Sequence, residues 1–120
     1  MTELTEGRHV GEFIFSEANG TRSREEITVV SGQNLKCGDV VGKITASGKY
    51  AIYNDGAADG SEAAAGVLYG ATDATGGDTP SVIVARDAEV NASELGWNGQ
   101  AQPAIDAGTA DLAALGIISR

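Results

Sequence analysis

Residues 23–53 read SREEITVVSGQNLKCGDVVGKITASGKYAIY, and this stretch decides the fold class. Three short runs in it are rich in β-branched and aromatic residues and are separated by Ser-Gly turn signals: 26–30, 40–45 and 49–53. Runs of this kind predict strands, and the intervening glycines predict tight turns. In the last run, alternation places Tyr50 and Ile52 on the same face of a strand. The stretch therefore predicts a β-rich domain with short connections.

The remainder of the chain continues the β pattern and adds helical signals near its end. Further apolar runs at 63–69 and 81–86 predict two more strands. Asn91 can cap a short helical turn, with Glu94 three residues later in the capping-box arrangement. The C-terminal tail predicts a helix from three features. These are Asp106 or Thr109 as the N-cap, Leu112 and Leu115 at i and i+3, and Gly116 just after the last turn.

Together these elements predict a mainly β fold, a small domain with one or two short helices, and the alternative class is α+β. A chain of 120 residues suits one domain. We expect residues 21–120 to form that single β-rich domain and residues 1–20 to form a flexible N-terminal arm. Trp97 and Ile117 are expected in the core, or alternatively at an interface.

The charge and composition exclude several classes of partner. The formal net charge is −9, and the 8 Lys and Arg residues form no basic stripe. We therefore expect neither nucleic acid nor an anionic membrane surface as a partner. Leu, Ile, Val and Phe make up only about a fifth of the chain beside 17 glycines, so burial is modest and self-association would add stability. No secretory signal or apolar span is visible, so we expect a soluble protein made in the cytoplasm.

No catalytic set emerges from the sequence, and we expect no enzyme activity, no cofactor, no metal and no small-molecule substrate. His9 is the only histidine and lies in the polar arm, while the only cysteine, Cys37, is expected to be a small buried side chain. The segment 55–62 contains three carboxylates, but its spacing departs from a calcium loop, and Asp and Gly also suit a turn. We interpret it as a turn.

The order of several segments resembles the lambda-type bacteriophage head decoration proteins. The resemblance covers about residues 23–118. Its pieces, in order, are SREEITV at 23–29, GDVVGKI at 38–44, DGAADG at 55–60, AGVLY at 65–69, VIVARDAEV at 82–90 and ALGI at 114–117. Each piece is weakly specific by itself, and the shared order carries the likeness.

This resemblance implies a β-clip-like domain that forms a homotrimer. Such trimers sit on the outer surface of the expanded phage head in the virion, bind the major capsid protein, and stabilise the shell against the pressure of internal DNA. The family has no catalytic residues. Its members generally attach through the N-terminal arm, which here corresponds to residues 2–15.

The residues of that arm independently indicate a binding segment. Phe13, Ile14 and Phe15 form an apolar cluster, preceded by Leu4 and Val10, and such a segment can add a strand to an exposed sheet edge. The alternative, left open by the sequence, is that Phe13 and Phe15 pack on the domain's own core. Two other functions also stay open: a small carrier or ligand-binding β domain using Lys43 or Lys49, and a calcium-dependent surface adhesin using Asp55, Asp59 and Glu62.

Overall fold

The computed structural model describes residues 14–17, 23–97 and 99–120. Their regular secondary structure is mostly strand, with one α-helix and one short 3₁₀ turn at Ala92–Glu94. The strands are β1 Ile14–Glu17, β2 Arg24–Val29, β3 Asn34–Leu35, β4 Val40–Lys43, β5 Tyr50–Ile52, β6 Gly66–Leu68, β7 Thr72–Asp73, β8 Thr79–Val84, β9 Ala88–Val90 and β10 Ile117–Ser119; the helix is α1 Gln102–Ala114. The mainly β class predicted from the sequence is confirmed.

A closed barrel forms the centre of the domain, with strands in the order β2-β5-β4-β6-β8. The pairing of β2 with β8 is the longest ladder, running antiparallel from Arg24 opposite Val84 to Val29 opposite Thr79. The barrel closes where Val29 meets Tyr50 in a parallel pair. Closure removes the exposed edges that short strands of this kind would otherwise present.

Consecutive apolar residues in the barrel strands face two different cores. Because side chains alternate along a strand, neighbouring apolar positions must point to opposite faces. Three such pairs divide between the two clusters: Val40 and Val41, Val67 and Leu68, and Val84 and Ile83. The first member of each pair packs with the helix and β9, and the second packs with the β2 and β5 side chains. Both faces of the barrel wall are therefore apolar.

Two smaller sheets flank the barrel. In the first, β9 lies between β1, which is antiparallel to it, and β10, which is parallel to it. In the second, β3 and β7 form a two-stranded antiparallel ladder. The first sheet joins residues from both ends of the described chain, and its buried side chains Ala88, Val90 and Ile117 belong to the same core as the helix.

The helix packs against two aromatic rings, those of Tyr53 and Trp97, at the position of Gly108. Ala104, Gly108 and Leu112 form its buried face, each four residues after the last. The rings of Tyr53 and Trp97 meet edge to face, with centroids 5.7 Å apart. A Cβ at Gly108 would lie 2.5 Å from Trp97 Cζ3 and 3.0 Å from Tyr53 Cε2. The missing side chain therefore allows the helix to approach both rings.

The C-terminal helix was predicted correctly, but its start was not. It begins at Gln102 after Ala101, with no side-chain cap, and Pro103 lies in the first turn, where its fixed φ suits a helix start. Asp106 and Thr109 are therefore inside the helix and are not N-caps. Thr109 Oγ1 instead donates to the carbonyl of Ile105, and Asp106 accepts a bond from Gln102. Gly116 does take the predicted position after the helix, with φ at +87°.

Most of the other local predictions hold. Tyr50 and Ile52 both pack in the second core, Ile117 is 1% exposed, and Trp97 packs partly buried against the first core. Asn91 caps the 3₁₀ turn by accepting the N–H of Ser93. Among the described residues, no helix combines the length and the apolar character needed to cross a bilayer.

Candidate functional site

The structure places one predicted binding residue, Ile14, in contact with the body of the domain. Ile14 begins β1 and packs, half-buried, against the first core. Phe15 continues the same strand, and its side chain lies outside what the structure describes. Leu4, Val10 and Phe13 lie outside the described residues altogether. The capsid-binding role of these residues stays a prediction.

The strand β1 lies at the edge of its sheet, directly after residues 1–13. Ile14 pairs with Val90, Ser16 with Glu89 and Glu17 with Ala88. The register shifts between Ile14 and Ser16, so the strand carries a β-bulge there. Bulges bend an edge strand and increase its twist. Ser16 and Glu17 therefore belong to β1 and pair with β9.

The carboxylate of Glu17 sits at the centre of a polar cluster that ties the end of β1 to the start of β2. Arg24 donates to both of its oxygens, from Nε at 3.2 Å and from one terminal nitrogen. Ser23 Oγ donates to Oε2 at 2.6 Å. The guanidinium of Arg24 also lies over the ring of Tyr69, 4.0 Å from its centroid. We call these four residues, Glu17, Ser23, Arg24 and Tyr69, the Glu17 cluster.

Electrostatics in the Glu17 cluster favour the charged forms. The hydrogen bonds from Arg24, and secondarily from Ser23, hold the pKa of Glu17 below its usual value despite the opposing effect of burial. The same contact raises the pKa of Arg24. Sequence reasoning missed this cluster, because Glu17 and Arg24 stand seven residues apart with no periodic pattern that pairs them. The only signal in the sequence was that Arg24, the next arginine after Arg22, stands close to the start of the strand predicted at 26–30.

Two of the three carboxylates in the acidic segment 55–62, those of Asp59 and Glu62, are engaged in local turn geometry. Asp59 Oδ1 accepts both the N–H and the hydroxyl of Ser61, at 3.0 and 2.6 Å. The N–H of Gly60 donates to Glu62 at 2.9 Å. The hydroxyl bond from Ser61, with its backbone bond, lowers the pKa of Asp59. Within the described residues, no group of three His, Cys, Asp or Glu side chains is placed to hold a metal ion.

The two lysines considered for a carrier site, and the single cysteine, have ordinary structural surroundings. Lys49 Nζ lies 2.5 Å from the carboxylate of Asp78, and Lys43 is exposed at the end of β4. Cys37 is 2% exposed, so the predicted buried thiol is confirmed. His9 lies outside the described residues.

The surface also carries shallow grooves. The largest of those described has a volume of 590 Å³ and is lined by five alanines together with Leu115 and a few charged side chains. Another, of 440 Å³, runs beside Arg24 and Tyr69 of the Glu17 cluster. Leu115 and Ile118 are the large apolar side chains that stay exposed among the described residues, at 38% and 41%.

These features describe a small β domain with an anchored edge strand, shallow surface grooves and no assembled catalytic group among the described residues. Such a domain suits a structural binding protein. The chain belongs to the family of the bacteriophage lambda head decoration protein D, whose family model matches residues 3–117. A comparison with curated proteins finds no match. The family match confirms the resemblance and extends it towards the N-terminus, through β1 and most of the segment before it.

Membership of this family identifies the chain as a structural protein of the bacteriophage head, associated with the capsid in the virion. The family is a structural one, and nothing in the described residues points to enzyme activity.

Proposed function

We propose that this protein binds the outer surface of the expanded phage head as a homotrimer, contacts the major capsid protein, and stabilises the shell against the pressure of packaged DNA. The family match over residues 3–117 is the observation that carries this proposal. The protein would be made in the host cytoplasm and join the shell after expansion. The division into an N-terminal arm and a single β-rich domain is part of the same proposal.

The position of β1 supports a binding role for the segment before it. Residues 1–13 lead directly into an edge strand that the body holds by a backbone ladder, by the packing of Ile14 and by the Glu17 cluster. A segment tethered in this way binds its target at a high effective concentration, and three copies in one trimer would multiply the effect. We assign the capsid contacts to Leu4, Val10, Phe13 and Phe15, and an anchoring role to Ile14.

Removal of residues 2–12 tests the arm directly. This deletion keeps Ile14 and the whole of β1, so the domain should fold and unfold like the full chain. We expect the shortened protein to lose binding to purified expanded heads in co-sedimentation. Normal decoration by the shortened protein would contradict the proposed role of the arm.

Point variants separate the chemistry of the arm from its length. Replacing Leu4 and Val10 by serine removes two apolar side chains, and we expect weaker binding to expanded heads. The matched control replaces Thr2 and Thr5 by serine, which keeps polarity and length and should leave binding unchanged. Equal binding by both double variants would count against an apolar contact.

The assembly state and the stabilising effect need their own measurements. Light scattering of the purified protein should give three times the 12.2 kDa mass of one chain. A monomer in solution and on heads would refute the trimer. Heads filled with DNA should release it at a higher temperature when decorated than when bare, and equal release temperatures would refute the stabilising role.

A further inference from the structure

The Glu17 cluster is one of three contacts that hold the edge strand β1, beside its ladder with β9 and the packing of Ile14. β1 has four residues, and among the described strands its ladder partner is β9 alone. The bulge between Ile14 and Ser16 interrupts that ladder. Short edge strands of this kind are the parts of a fold that open most easily, because few contacts must break. The side-chain contacts at Glu17 therefore add to the few contacts that retain the strand.

One of these contacts is made by the hydroxyl of a buried residue, Ser23. Ser23 is fully buried, and its carbonyl is fixed by the N–H of Ala85 at 2.7 Å. Its hydroxyl donates to Glu17 at 2.6 Å. When β1 leaves the sheet, this buried hydroxyl loses that acceptor, and a buried polar group without a partner is costly. Ser23 therefore favours the attached position of β1.

Arg24 adds a contact that depends on the planar geometry of its guanidinium group. Its planar fork bonds both oxygens of Glu17 while its Cζ lies over the Tyr69 ring. This contact with the ring limits the directions in which the fork can point, so less conformational entropy is lost when it binds the carboxylate. Tyr69 itself packs against the first core, so the arginine is supported by the body of the domain.

We propose that the Glu17 cluster is a latch that fixes β1 to the domain and thereby positions the preceding segment for capsid binding. Glu17 and Arg24 are then positioning residues, which act on binding without touching the capsid. This inference rests on the proposed function for its second half. A tethered segment binds well only if the residue at which it joins the domain is fixed relative to the rest of the binding surface. If that residue moves, the effective concentration of the segment at its target falls.

The test compares Glu17→Gln and Arg24→Gln with a matched control, Glu25→Gln. Glu25 is the next residue along β2, and its ion pair with Arg86, at 3.5 Å, does not involve β1. Hydrogen exchange, read by mass spectrometry, reports the opening of β1 separately from the opening of β9 and the barrel. Co-sedimentation with expanded heads reports binding. All measurements use the full chain.

In the two latch variants we expect amide exchange in β1 to rise by about a factor of ten, in the range that a charged hydrogen bond supplies. Exchange in the barrel should not change, and binding to heads should weaken. The double variant should be little worse than either single one, because both remove the same contact. Glu25→Gln should leave exchange in β1 and binding as they are in the parent protein.

Each other outcome has a definite meaning. Unchanged exchange of β1 in both latch variants overturns the latch. Faster exchange of β1 with unchanged binding overturns its positioning role. If the parent protein itself fails to bind expanded heads, the proposed function is refuted, and the exchange data still decide whether the latch exists.

Discussion

The helix α1 packs closely on Tyr53 and Trp97 at Gly108. The substitution Gly108→Ala is informative, because two effects of known size act in opposite directions on the free energy of unfolding. Alanine is favoured over glycine in a helix interior by about 1 kcal/mol. Against this, the new methyl would lie 2.5 Å from Trp97 Cζ3 and 3.0 Å from Tyr53 Cε2. Overfilling a packed site costs about 1–3 kcal/mol. The outcome depends on whether the rings can move.

The structure indicates that one ring cannot move. Tyr53 is fully buried, and its hydroxyl donates to the carbonyl of Ala104, one turn earlier in the same helix, at 2.8 Å. Relief must come from Trp97 or from the helix, and a shift of the helix would also strain that hydrogen bond. Because a contact of 2.5 Å is severe, the cost of overfilling lies in the upper half of that range, about 2–3 kcal/mol. After the helix gain of about 1 kcal/mol, we expect Gly108→Ala to lower the free energy of unfolding by about 1–2 kcal/mol. This corresponds to about 4–8 °C in Tm for a domain of this size.

Thermal unfolding followed by circular dichroism, at one fixed protein concentration, measures this change. The control is Gly76→Ala, because a Cβ at Gly76 would meet no atom within 4 Å. A second measurement repeats Gly108→Ala in a Trp97→Phe background, where the smaller ring should reduce the penalty. A Gly108→Ala protein as stable as the parent, or more stable, would refute the argument, since helix propensity would then outweigh the contact.

Three further predictions concern the core, pH and calcium. Leu112→Ala, at a fully buried position, should cost about 2–5 kcal/mol in chemical denaturation, whereas Leu115→Ala should cost no more than about 0.5 kcal/mol; similar costs would contradict the assignment of the buried face. Hydrogen bonds from Arg24 to Glu17 and from Thr75 to Asp73 lower the pKa of each carboxyl in the folded state. These bonds therefore stabilise the fold at pH values above about 4, the pKa of the same carboxyls in the unfolded chain. This stability is lost as the pH falls through the lower folded values, and a Tm that stays constant from about pH 5 to pH 2 would contradict this assignment. Because Asp59 and Glu62 bond within their own turn, the Tm of the protein should not change with calcium or a chelator, and a calcium-dependent rise would revive the adhesin alternative.

The strands could be predicted because their signals are local. The alternation of Tyr50 and Ile52 and the β-branched run before Val30 depend only on neighbouring residues, and both correspond to observed strands. The two-core arrangement was not predicted. Apolar neighbours such as Val40 and Val41 show that both faces are buried, but only the tertiary structure shows what covers each face.

The helix start and the Glu17 cluster were missed for different physical reasons. Asp106 and Thr109 are good capping residue types, yet the start was set four residues earlier than Asp106, where Pro103 in the first turn fits without a side-chain cap. The pairing of Glu17 with Arg24 depends on where the chain returns after β1, and no spacing rule encodes that return. Candidate site residues before Ile14 stay predictions from sequence.

The small sheet around β9 has a consequence for the order of folding. Its three strands come from residues 14–17, 88–90 and 117–119, so its central strand gains its last partner only after residues 117–119 have been made. Local hairpins of the barrel can form earlier, since loop closure is cheaper over short separations. During synthesis on the ribosome, more than seventy residues must be added after β1 before its partner β9 is present. The sheet is completed only when β10 has also emerged.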